Sequence, residues 1–217
     1  MEILAHRGYW KHEEEKNSLL ALKAAMAHGY GLETDVRDYS GRLVISHNVA
    51  TASSPIASQV FADMVHMGEN STLAINIKAD GLGDLLEECL AMYNIDNYFL
   101  FDMSIPQMVC FAKRKLVFFT RQSDIEPVPI MLDKADGVWM DSFIDPEFPT
   151  IGMIQSNLSK GKRVCLVSPE LHGREPIVLW QRLKENCLTA EENLLLCTDR
   201  PDEASGFLGI KTKGRSS

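Results

Sequence analysis

The sequence predicts a single (β/α)8 barrel, and three observations lead to this prediction. Eight apolar runs alternate with segments of helical periodicity, which is the order of a parallel α/β fold. Most runs are continuously apolar, as expected for strands that are buried on both faces. Nearly every run ends in a polar residue, and a barrel assembles its site from the carboxyl ends of its strands. These terminal residues are His6, Asp35, Lys78, Asp102, Arg121, Asp141, Ser168 and Asp199.

An open, doubly wound sheet is the alternative architecture. Such sheets commonly carry a glycine-rich phosphate-binding loop after a strand, and no G-x-G-x-x-G or G-K-[ST] segment follows a strand here. The 217 residues, 45% hydrophobic and 24% charged, suit one barrel at the short end of the usual range. We therefore predict a barrel over residues 1–210 without a sizeable insertion domain, and a disordered polar tail over 211–217.

The first half of the chain supplies four predicted strands and four helices. The strands are predicted at residues 2–8, 32–37, 73–78 and 98–102, with a further extended piece at 43–47 after a turn at 39–41. The helices are predicted at 19–28, 57–66, 82–93 and 106–113. Asn17 and Ser18 can cap the first helix, and Pro106 suits the first turn of the last.

The second half repeats the pattern. Strands are predicted at 116–121, 137–141, 163–168 and 193–199. Helices are predicted near 127–134, at 150–160, at 176–186 and shortly after Pro201.

Composition and charge exclude several classes of function. The formal net charge of -8 argues against sequence-independent nucleic-acid binding, which needs a basic face. No apolar segment reaches membrane-spanning length, and Met1 leads directly into a strand without the regions of a signal peptide. Five scattered cysteines without C-x-x-C spacing favour buried free thiols. We expect a soluble, cytoplasmic protein.

The first predicted strand ends in His6, Arg7 and Gly8. Arg7 suits a bidentate anion such as phosphate, and His6 can exchange a proton near neutral pH. His47 adds a second imidazole at the end of the extended piece at 43–47. Two histidines that flank a metal-bound phosphate can act as base and acid in phosphoryl transfer.

Glu33 and Asp35 lie two residues apart on the second predicted strand, so they project from the same face. Two carboxylates aimed at one point repel each other unless a cation or a proton joins them. A hard divalent ion such as Mg²⁺ or Ca²⁺ answers this best. For an isolated E-x-D segment, a solvated pair of acids at a strand end is the alternative.

Several ordered segments resemble the signature of glycerophosphodiester phosphodiesterases, which belong with the phosphatidylinositol phospholipase C-like phosphodiesterases. They are A-H-R-G at 5–8, K-N-S-L-x-A at 16–21, G-x-G-x-E-x-D-V at 29–36 and G-x-L-V-x-S-H at 41–47. The resemblance recurs at 73–78, which contains I-N-I-K, and in T-D-R-P at 198–201. It implies a metal-dependent hydrolase of a small alcohol–phosphate–alcohol substrate such as a glycerophosphodiester.

The same resemblance implies a role for each matching residue. These roles are general acid and base for His6 and His47, phosphate binding for Arg7 and Lys78, and binding of Mg²⁺ or Ca²⁺ for Glu33, Asp35 and Asn76. The implied route is attack on phosphorus by a neighbouring hydroxyl of the substrate. It produces a cyclic phosphate that water can then open.

The chain departs from the family pattern at three places. Asn76 stands where the family usually carries a glutamate as third metal ligand, so one negative charge is lost. Lys16 stands where the family has an acid, and Asn48 follows the second histidine in place of an aspartate. Asp102 can supply a replacement carboxylate, with a helix N-cap as its alternative role. These departures leave open a specialised substrate or a weakened activity.

Other polar residues are predicted on the same face of the barrel. Glu170, His172 and Arg174 share the loop after the strand at 163–168, where substrate binding is favoured over a solvated loop. Arg121 can contact a second anionic group. Asp199 is expected to fix the last turn rather than to take part in chemistry.

Two other functions compete with the phosphodiesterase. One is a barrel that binds a phosphorylated ligand without turnover, which Asn76 and Asn48 suggest. The other is a barrel enzyme that isomerises a sugar phosphate by proton transfer. The latter does not explain two histidines together with E-x-D.

Overall fold

The computed structural model describes residues 1–67 and 71–212, and it confirms the predicted barrel. The strands in this part of the chain are β1 (Glu2–His6), β2 (Gly31–Tyr39), β3 (Arg42–Ile45), β4 (Leu73–Ile77), β5 (Tyr98–Phe101), β6 (Phe119–Ser123), β7 (Gly137–Asp141), β8 (Arg163–Val167) and β9 (Leu194–Thr198). All except β3 are parallel and form the barrel wall. The β3 strand pairs antiparallel with the outer end of β2.

The helices surround the strands. They are α1 (Leu19–Ala27), α2 (Ala57–Met67), α3 (Gly83–Met92), α4 (Ile105–Arg114), α5 (Ile151–Ser159), α6 (Ile177–Glu185) and α7 (Pro201–Leu208). Ser18, Ser104 and Thr150 begin α1, α4 and α5, because each hydroxyl accepts a hydrogen bond from the backbone amide three residues later. No helix within residues 1–67 and 71–212 is long and apolar enough to cross a membrane.

Strand pairing brings residues distant in sequence to one end of the barrel. The order around the wall is β5, β4, β2, β1, β9, β8, β7 and β6. Leu100 donates its amide to the Val117 carbonyl at 3.0 Å, and this contact links β5 to the chain entering β6. His6 lies in register with Glu33, and Asp35 with Asn76. The carboxyl ends of the strands therefore present their side chains to a common space.

The core has an outer and an inner layer. Side chains between the strands and the helices form the larger cluster. Alternate strand residues fill the barrel interior, where the rings of Phe99 and Phe119 stack at 3.8 Å and those of Phe101 and Trp139 at 3.8 Å. This aromatic packing closes the interior below the polar strand ends, so the barrel is no open channel.

Two predictions about the segment 116–134 are wrong. The sixth strand begins at Phe119 and not at 116, which places Arg121 in the middle of β6. The predicted helix near 127–134 is a series of turns. Pro129 disfavours the helical conformation in Val128, the residue before it. The carbonyl of Pro127 instead accepts a hydrogen bond from Gln122 at 2.9 Å.

Three further predictions concern Asp102, the cysteines and the C-terminal tail. Ser104 caps α4, so the alternative N-cap role of Asp102 is wrong. The cysteines are free as predicted, but Cys110 and Cys187 are exposed and not buried. The predicted disordered tail at 211–217 falls mostly on residues 213–217, which lie outside the described part of the chain.

Asp124 joins the two loops that follow β6 and β7. Its carboxylate accepts hydrogen bonds from the amides of Phe143, Ile144 and Asp145 at 2.9, 2.6 and 2.7 Å. Desolvation alone would raise the pKa of Asp124, but these amide donors outweigh it and lower the pKa to about 2. The loop after β7 is therefore held by a charged acceptor.

Replacing Asp124 by alanine is expected to lower the free energy of unfolding by roughly 1 kcal/mol at pH 7, because three amides lose an acceptor at a solvent-exposed position. The folded pKa lies below the unfolded one, so this contribution is complete above about pH 5. It is lost as the pH falls through about 2. Urea unfolding at pH 7 and pH 3 measures the change. Asp133→Ala is the control, and an equal loss at both pH values would contradict a stabilising role for the Asp124 carboxylate.

Candidate active site

A cavity of about 290 Å³ opens at the carboxyl ends of the strands. It contains most of the site residues that the sequence predicts. Those lining it are His6, Arg7, Glu33, His47, Asn76, Lys78, Asp102, Arg121 and His172. Asp35 is fully buried and contacts several of them.

Asp35 lies at the centre of the charged contacts. Its Oδ2 is 2.9 Å from Arg7 Nε and accepts a hydrogen bond from Asn17 Nδ2 at 2.8 Å. Its Oδ1 lies 3.3 Å from His47 Nδ1 and 3.5 Å from Lys78 Nζ. Burial would raise the pKa of Asp35, but Arg7, Lys78 and the Asn17 amide outweigh it and lower the pKa below its usual value. The carboxylate is therefore ionised and holds the cationic side chains around it.

Glu33 behaves differently although it is two residues away. Burial, followed by the charge of Asp35, raises the pKa of Glu33 to about 7. Its Oε2 accepts a hydrogen bond from the Arg7 amide at 3.1 Å and lies 3.8 Å from His6 Nε2. A proton or an added cation is needed to neutralise the Glu33 carboxylate beside Asp35.

Asn76 adds a third oxygen to this group. The side chain is buried, and its Oδ1 has no hydrogen-bond partner among the described residues. An unsatisfied buried carbonyl costs about 1–3 kcal/mol, and a cation would relieve that cost. No group of three or more His, Cys, Asp or Glu side chains in the described ranges is arranged to hold a metal. A metal centre here therefore depends on the amide oxygen of Asn76 joining Glu33 and Asp35.

Asp199 contacts the first predicted catalytic histidine. Its Oδ1 lies 2.6 Å from His6 Nδ1, so it does more than fix the last turn. Burial would raise the pKa of Asp199, but His6 and Lys16 outweigh it and lower the pKa. Since an ionised carboxylate only accepts hydrogen bonds, Nδ1 carries the proton in this contact. The Nε2 atom of His6 then remains available as a base.

Lys16 occupies the position where the family pattern has an acid. Its Nζ lies 3.5 Å from Asp199 Oδ2 and 4.3 Å from the centre of the Trp10 ring. Lys16 therefore pairs with the carboxylate that holds His6, while the other oxygen of Asp199 faces the imidazole.

The second histidine lies at the mouth of the cavity. His47 Nδ1 is 2.9 Å from Arg7 Nη2 and 3.3 Å from Asp35 Oδ1. The guanidinium is the nearer group and can only donate, so Nδ1 accepts from it and the proton of the neutral ring lies on Nε2. Asp35 thus supplies a carboxylate beside His47 although Asn48 follows it in the sequence.

Gly8 is required by the packing of the loop after β1. Its φ of +94° is unfavourable for other residues, and an added Cβ would lie 2.6 Å from the Ala21 backbone. The Arg7 carbonyl also accepts a hydrogen bond from the backbone amide of Asn17 at 2.9 Å. The start of α1 thereby fixes the loop that positions Arg7.

Lys78, Asp102 and Arg121 form one connected ion-pair group. Lys78 Nζ lies 3.4 Å from Asp102 Oδ2, and Arg121 Nη1 lies 3.4 Å from Asp102 Oδ1. Arg121 also donates two hydrogen bonds to Glu126, at 2.9 and 3.2 Å. Asp102 is therefore held by two cations, and Arg121 is already paired before any ligand arrives.

The three site residues predicted in the loop after β8 make contacts in different places. His172 lines the cavity, with its Nε2 2.7 Å from Asp141 Oδ1. Glu170 accepts hydrogen bonds from the hydroxyls of Ser168 and Thr198 and from the Asp199 amide, which lies 3.1 Å away. Arg174 donates to Ser142. The structure does not bring Glu170 and Arg174 to the cavity wall.

Sequence reasoning missed the roles of Asn17 and Asp199 in this site. Asn17 was interpreted as a helix cap, yet its amide bridges Asp35 and Thr34, at 2.8 Å to each. Asn17 has a positive φ of 61°, and Ser18 alone supplies the capping hydroxyl of α1. The K-N-S segment at 16–18 and the T-D-R-P segment at 198–201 are the available signals, but neither reveals which side chains meet.

An open groove of about 570 Å³ adjoins the cavity. Arg7 and His47 line both recesses. The rest of the groove is mainly polar and includes Lys16, Asn17, Ser18, Ser46, Asn48, Ser53 and Ser54. Arg7 and His47 therefore lie between a partly aromatic recess and a more open, polar one.

Three solved structures share this architecture. One is a putative glycerophosphodiester phosphodiesterase from Galdieria sulphuraria, with a TM-score of 0.73 and 16% identity over 96% of this chain and 97% of that one. Another is a phosphodiesterase from Oleispira antarctica in complex with the product sn-glycerol-3-phosphate, with a TM-score of 0.68, 13% identity, and 96% and 97% coverage. The third is a Ca²⁺-dependent phosphatidylinositol-specific phospholipase C from Streptomyces antibioticus, with a TM-score of 0.56, 8% identity, and 99% and 98% coverage.

These similarities define the class of fold. The chain has the barrel fold of glycerophosphodiester phosphodiesterases and of a phosphatidylinositol-specific phospholipase C, at low sequence identity. The fold that the motifs predict is thereby confirmed. The sequence matches no protein-family model and no curated protein.

Proposed function

We propose that this protein is a metal-dependent phosphodiesterase that hydrolyses a glycerophosphodiester or a related alcohol–phosphate–alcohol compound. One observation carries the proposal. His6 and His47 flank Arg7 at the end of the barrel, and each histidine has a carboxylate beside it, Asp199 at 2.6 Å and Asp35 at 3.3 Å. This arrangement supplies two proton-transfer groups around one phosphate-binding cation.

The donor atoms around Glu33 support a divalent cation in the site. Glu33, Asp35 and Asn76 would hold Mg²⁺ or Ca²⁺, since hard cations prefer oxygen ligands. The unpartnered Oδ1 of Asn76 and the raised pKa of Glu33 both favour such an ion. When bound, it would neutralise charge on the phosphate. The structural neighbour from Streptomyces antibioticus is itself Ca²⁺-dependent.

The histidine contacts suggest that His6 acts as the base and His47 as the acid. His6 Nε2 would accept the proton of a substrate hydroxyl next to the phosphate, and that oxygen would form a bond to phosphorus. His47 would act in its protonated form, with Nδ1 donating to Asp35, and Nε2 would give its proton to the departing alcohol as the other phosphorus–oxygen bond breaks. Arg7 and Lys78 would bind the phosphate oxygens and stabilise their charge. Water then opens the cyclic phosphate with the two histidines in exchanged roles.

The two recesses support a diester rather than a monoester as substrate. A phosphate bound at Arg7 and His47 would have the partly aromatic cavity on one side and the polar groove on the other. Each recess could then accept one of the two alcohols. A phosphate monoester would leave one recess without a ligand.

Chelation of divalent metal is expected to lower the hydrolysis of glycerophosphocholine and glycerophosphoethanolamine by at least about 100-fold, because the proposed ion would no longer neutralise charge on the phosphate. Release of the alcohols with and without EDTA measures this effect, and added Mg²⁺ or Ca²⁺ should restore activity. Asn76→Glu should tighten metal binding by about tenfold, since it adds a charged ligand. Activity that survives EDTA would contradict the proposed metal dependence.

Binding without turnover is the second candidate function. Asn76 and Asn48 favour it, because both remove a negative charge from positions where the family pattern has one. It predicts that sn-glycerol-3-phosphate binds in titration calorimetry while no diester is cleaved with any divalent ion. Turnover with Mg²⁺ or Ca²⁺ would exclude it.

A further inference from the structure

Large apolar side chains are exposed on the two loops joined by Asp124. Three of them lie next to the residues that make this junction: Ile125, Phe143 and Ile144, with exposed fractions of 57%, 53% and 74%. We call these three residues the apolar lip. The hydrogen bonds that the amides of 143–145 donate to the Asp124 carboxylate hold the two loops together, so the lip is a defined surface.

The apolar lip continues into the cavity. Phe143 is exposed and also lines the cavity, where its ring meets the His172 imidazole edge-on at 5.4 Å between centres. Deeper in the cavity, the wall continues with other apolar side chains. They are Phe101, Trp139, Val167 and Leu171. The apolar surface therefore runs from the floor of the cavity to solvent.

The charged groups at this end of the cavity are paired with one another. Arg121 is bound by Glu126 at 2.9 Å, and Asp141 by His172 at 2.7 Å. These pairs leave little unpaired charge to attract a second ionic group. Arg7, the proposed phosphate-binding residue, lies instead at the boundary between the cavity and the polar groove.

We propose that the cavity binds the alcohol of the diester that carries an extended apolar chain, and that this chain leaves the cavity over the apolar lip. The proposal rests on the proposed function, since the phosphate at Arg7 sets where the alcohol begins. The occupant is a single substrate molecule with an alkyl or acyl chain. The polar groove would then take the hydrophilic alcohol.

Binding of alkyl phosphates tests this idea without requiring catalysis. Octyl phosphate, kept below its micelle-forming concentration, is expected to bind about 30-fold more tightly than methyl phosphate, because its chain buries part of its surface on the lip. Titration calorimetry gives the two dissociation constants. The double variant Ile125→Ser with Ile144→Ser should reduce the ratio to about fivefold or less.

A matched control uses exposed apolar residues elsewhere. Ile177 and Val178 on α6 are 45% and 57% exposed, and the double change to serine should leave the octyl-to-methyl ratio as in the wild type. A wild-type ratio below twofold would overturn the proposal, as would equal losses in the lip and control variants. Loss of binding to phosphatidylcholine vesicles in the lip variant, with an unchanged ratio for monomeric octyl phosphate, would also overturn it in favour of a membrane-docking surface.

The same experiment separates this inference from the proposed function. Methyl and octyl diesters of glycerol phosphate are assayed alongside the binding measurements. If both diesters are cleaved at equal kcat/KM and the binding ratio is near one, the chain-binding site fails while the phosphodiesterase stands. If neither diester is cleaved and octyl phosphate still binds tightly through the lip, the phosphodiesterase fails while the chain-binding site stands.

Discussion

Replacing His6 by alanine is expected to lower kcat/KM for glycerophosphodiester hydrolysis by about 10²- to 10⁴-fold, the usual range for loss of a positioned acid or base. His6 is the better candidate for the base, because Asp199 at 2.6 Å holds its Nδ1 proton and leaves Nε2 free. Alcohol release from glycerophosphocholine in the presence of Mg²⁺ or Ca²⁺ measures the effect.

Two companion variants sharpen this prediction. Asp199→Asn should cause a smaller loss of kcat and a changed pH–rate profile, because an amide can present the wrong group to Nδ1. His66→Ala changes an exposed histidine on α2 and should leave the rate unchanged. A His6→Ala protein that folds and retains more than half of the wild-type rate would rule out His6 as the base.

Replacing Asp35 by asparagine is expected to reduce kcat/KM by about 10³-fold or more, because this carboxylate positions the groups that bind the phosphate and is a proposed metal ligand. The free energy of unfolding should fall by about 3 kcal/mol, since Arg7 and Lys78 lose a buried counter-charge. Steady-state kinetics and urea unfolding at pH 7 measure the two changes.

The control for Asp35→Asn is Asp63→Asn. Asp63 pairs with Lys23 at 3.1 Å on the helical surface, so its loss should cost less than about 1 kcal/mol and leave activity unchanged. An Asp35→Asn protein with activity within tenfold of the wild type would contradict the central role of this carboxylate. Unfolding energies that match the wild type would show that Arg7 and Lys78 do not depend on it.

Local patterns in the sequence predicted most of the strands and helices. Continuous apolar runs marked the buried parallel strands, and Ser18, Ser104 and Thr150 could act as helix caps because hydroxyl capping is local. The segment 116–134 was the exception. The carbonyls of Ile130 and Pro127 accept hydrogen bonds from the side chains of Thr120 and Gln122 on β6. The periodicity of the sequence does not indicate such contacts.

The site was predicted in its residue types and only partly in its contacts. The spacing of Glu33 and Asp35 predicts that both lie on one face of a strand, because residues two apart on a strand share a face whatever their surroundings. Their ionisation differs, however. The pKa of Asp35 is lowered by the cations Arg7 and Lys78, while the pKa of Glu33 is raised by burial. Cations and burial come from the folded neighbours, so the E-x-D spacing could not reveal this difference.

The class of fold and the set of chemical groups can be predicted from the amino-acid sequence, because strand periodicity and motif order are properties of neighbouring residues. Which of these groups meet is set by the folded barrel. The pairing of β1 with β9 brings Asp199 to His6 across 193 residues, and the pairing of β1 with β2 brings Asn17 to Asp35. The pairing of β8 with β9 places Glu170 at the turn with Asp199, away from the cavity wall. These contacts depend on strand pairing, since adjacent barrel strands share their ends in space whatever their separation in sequence.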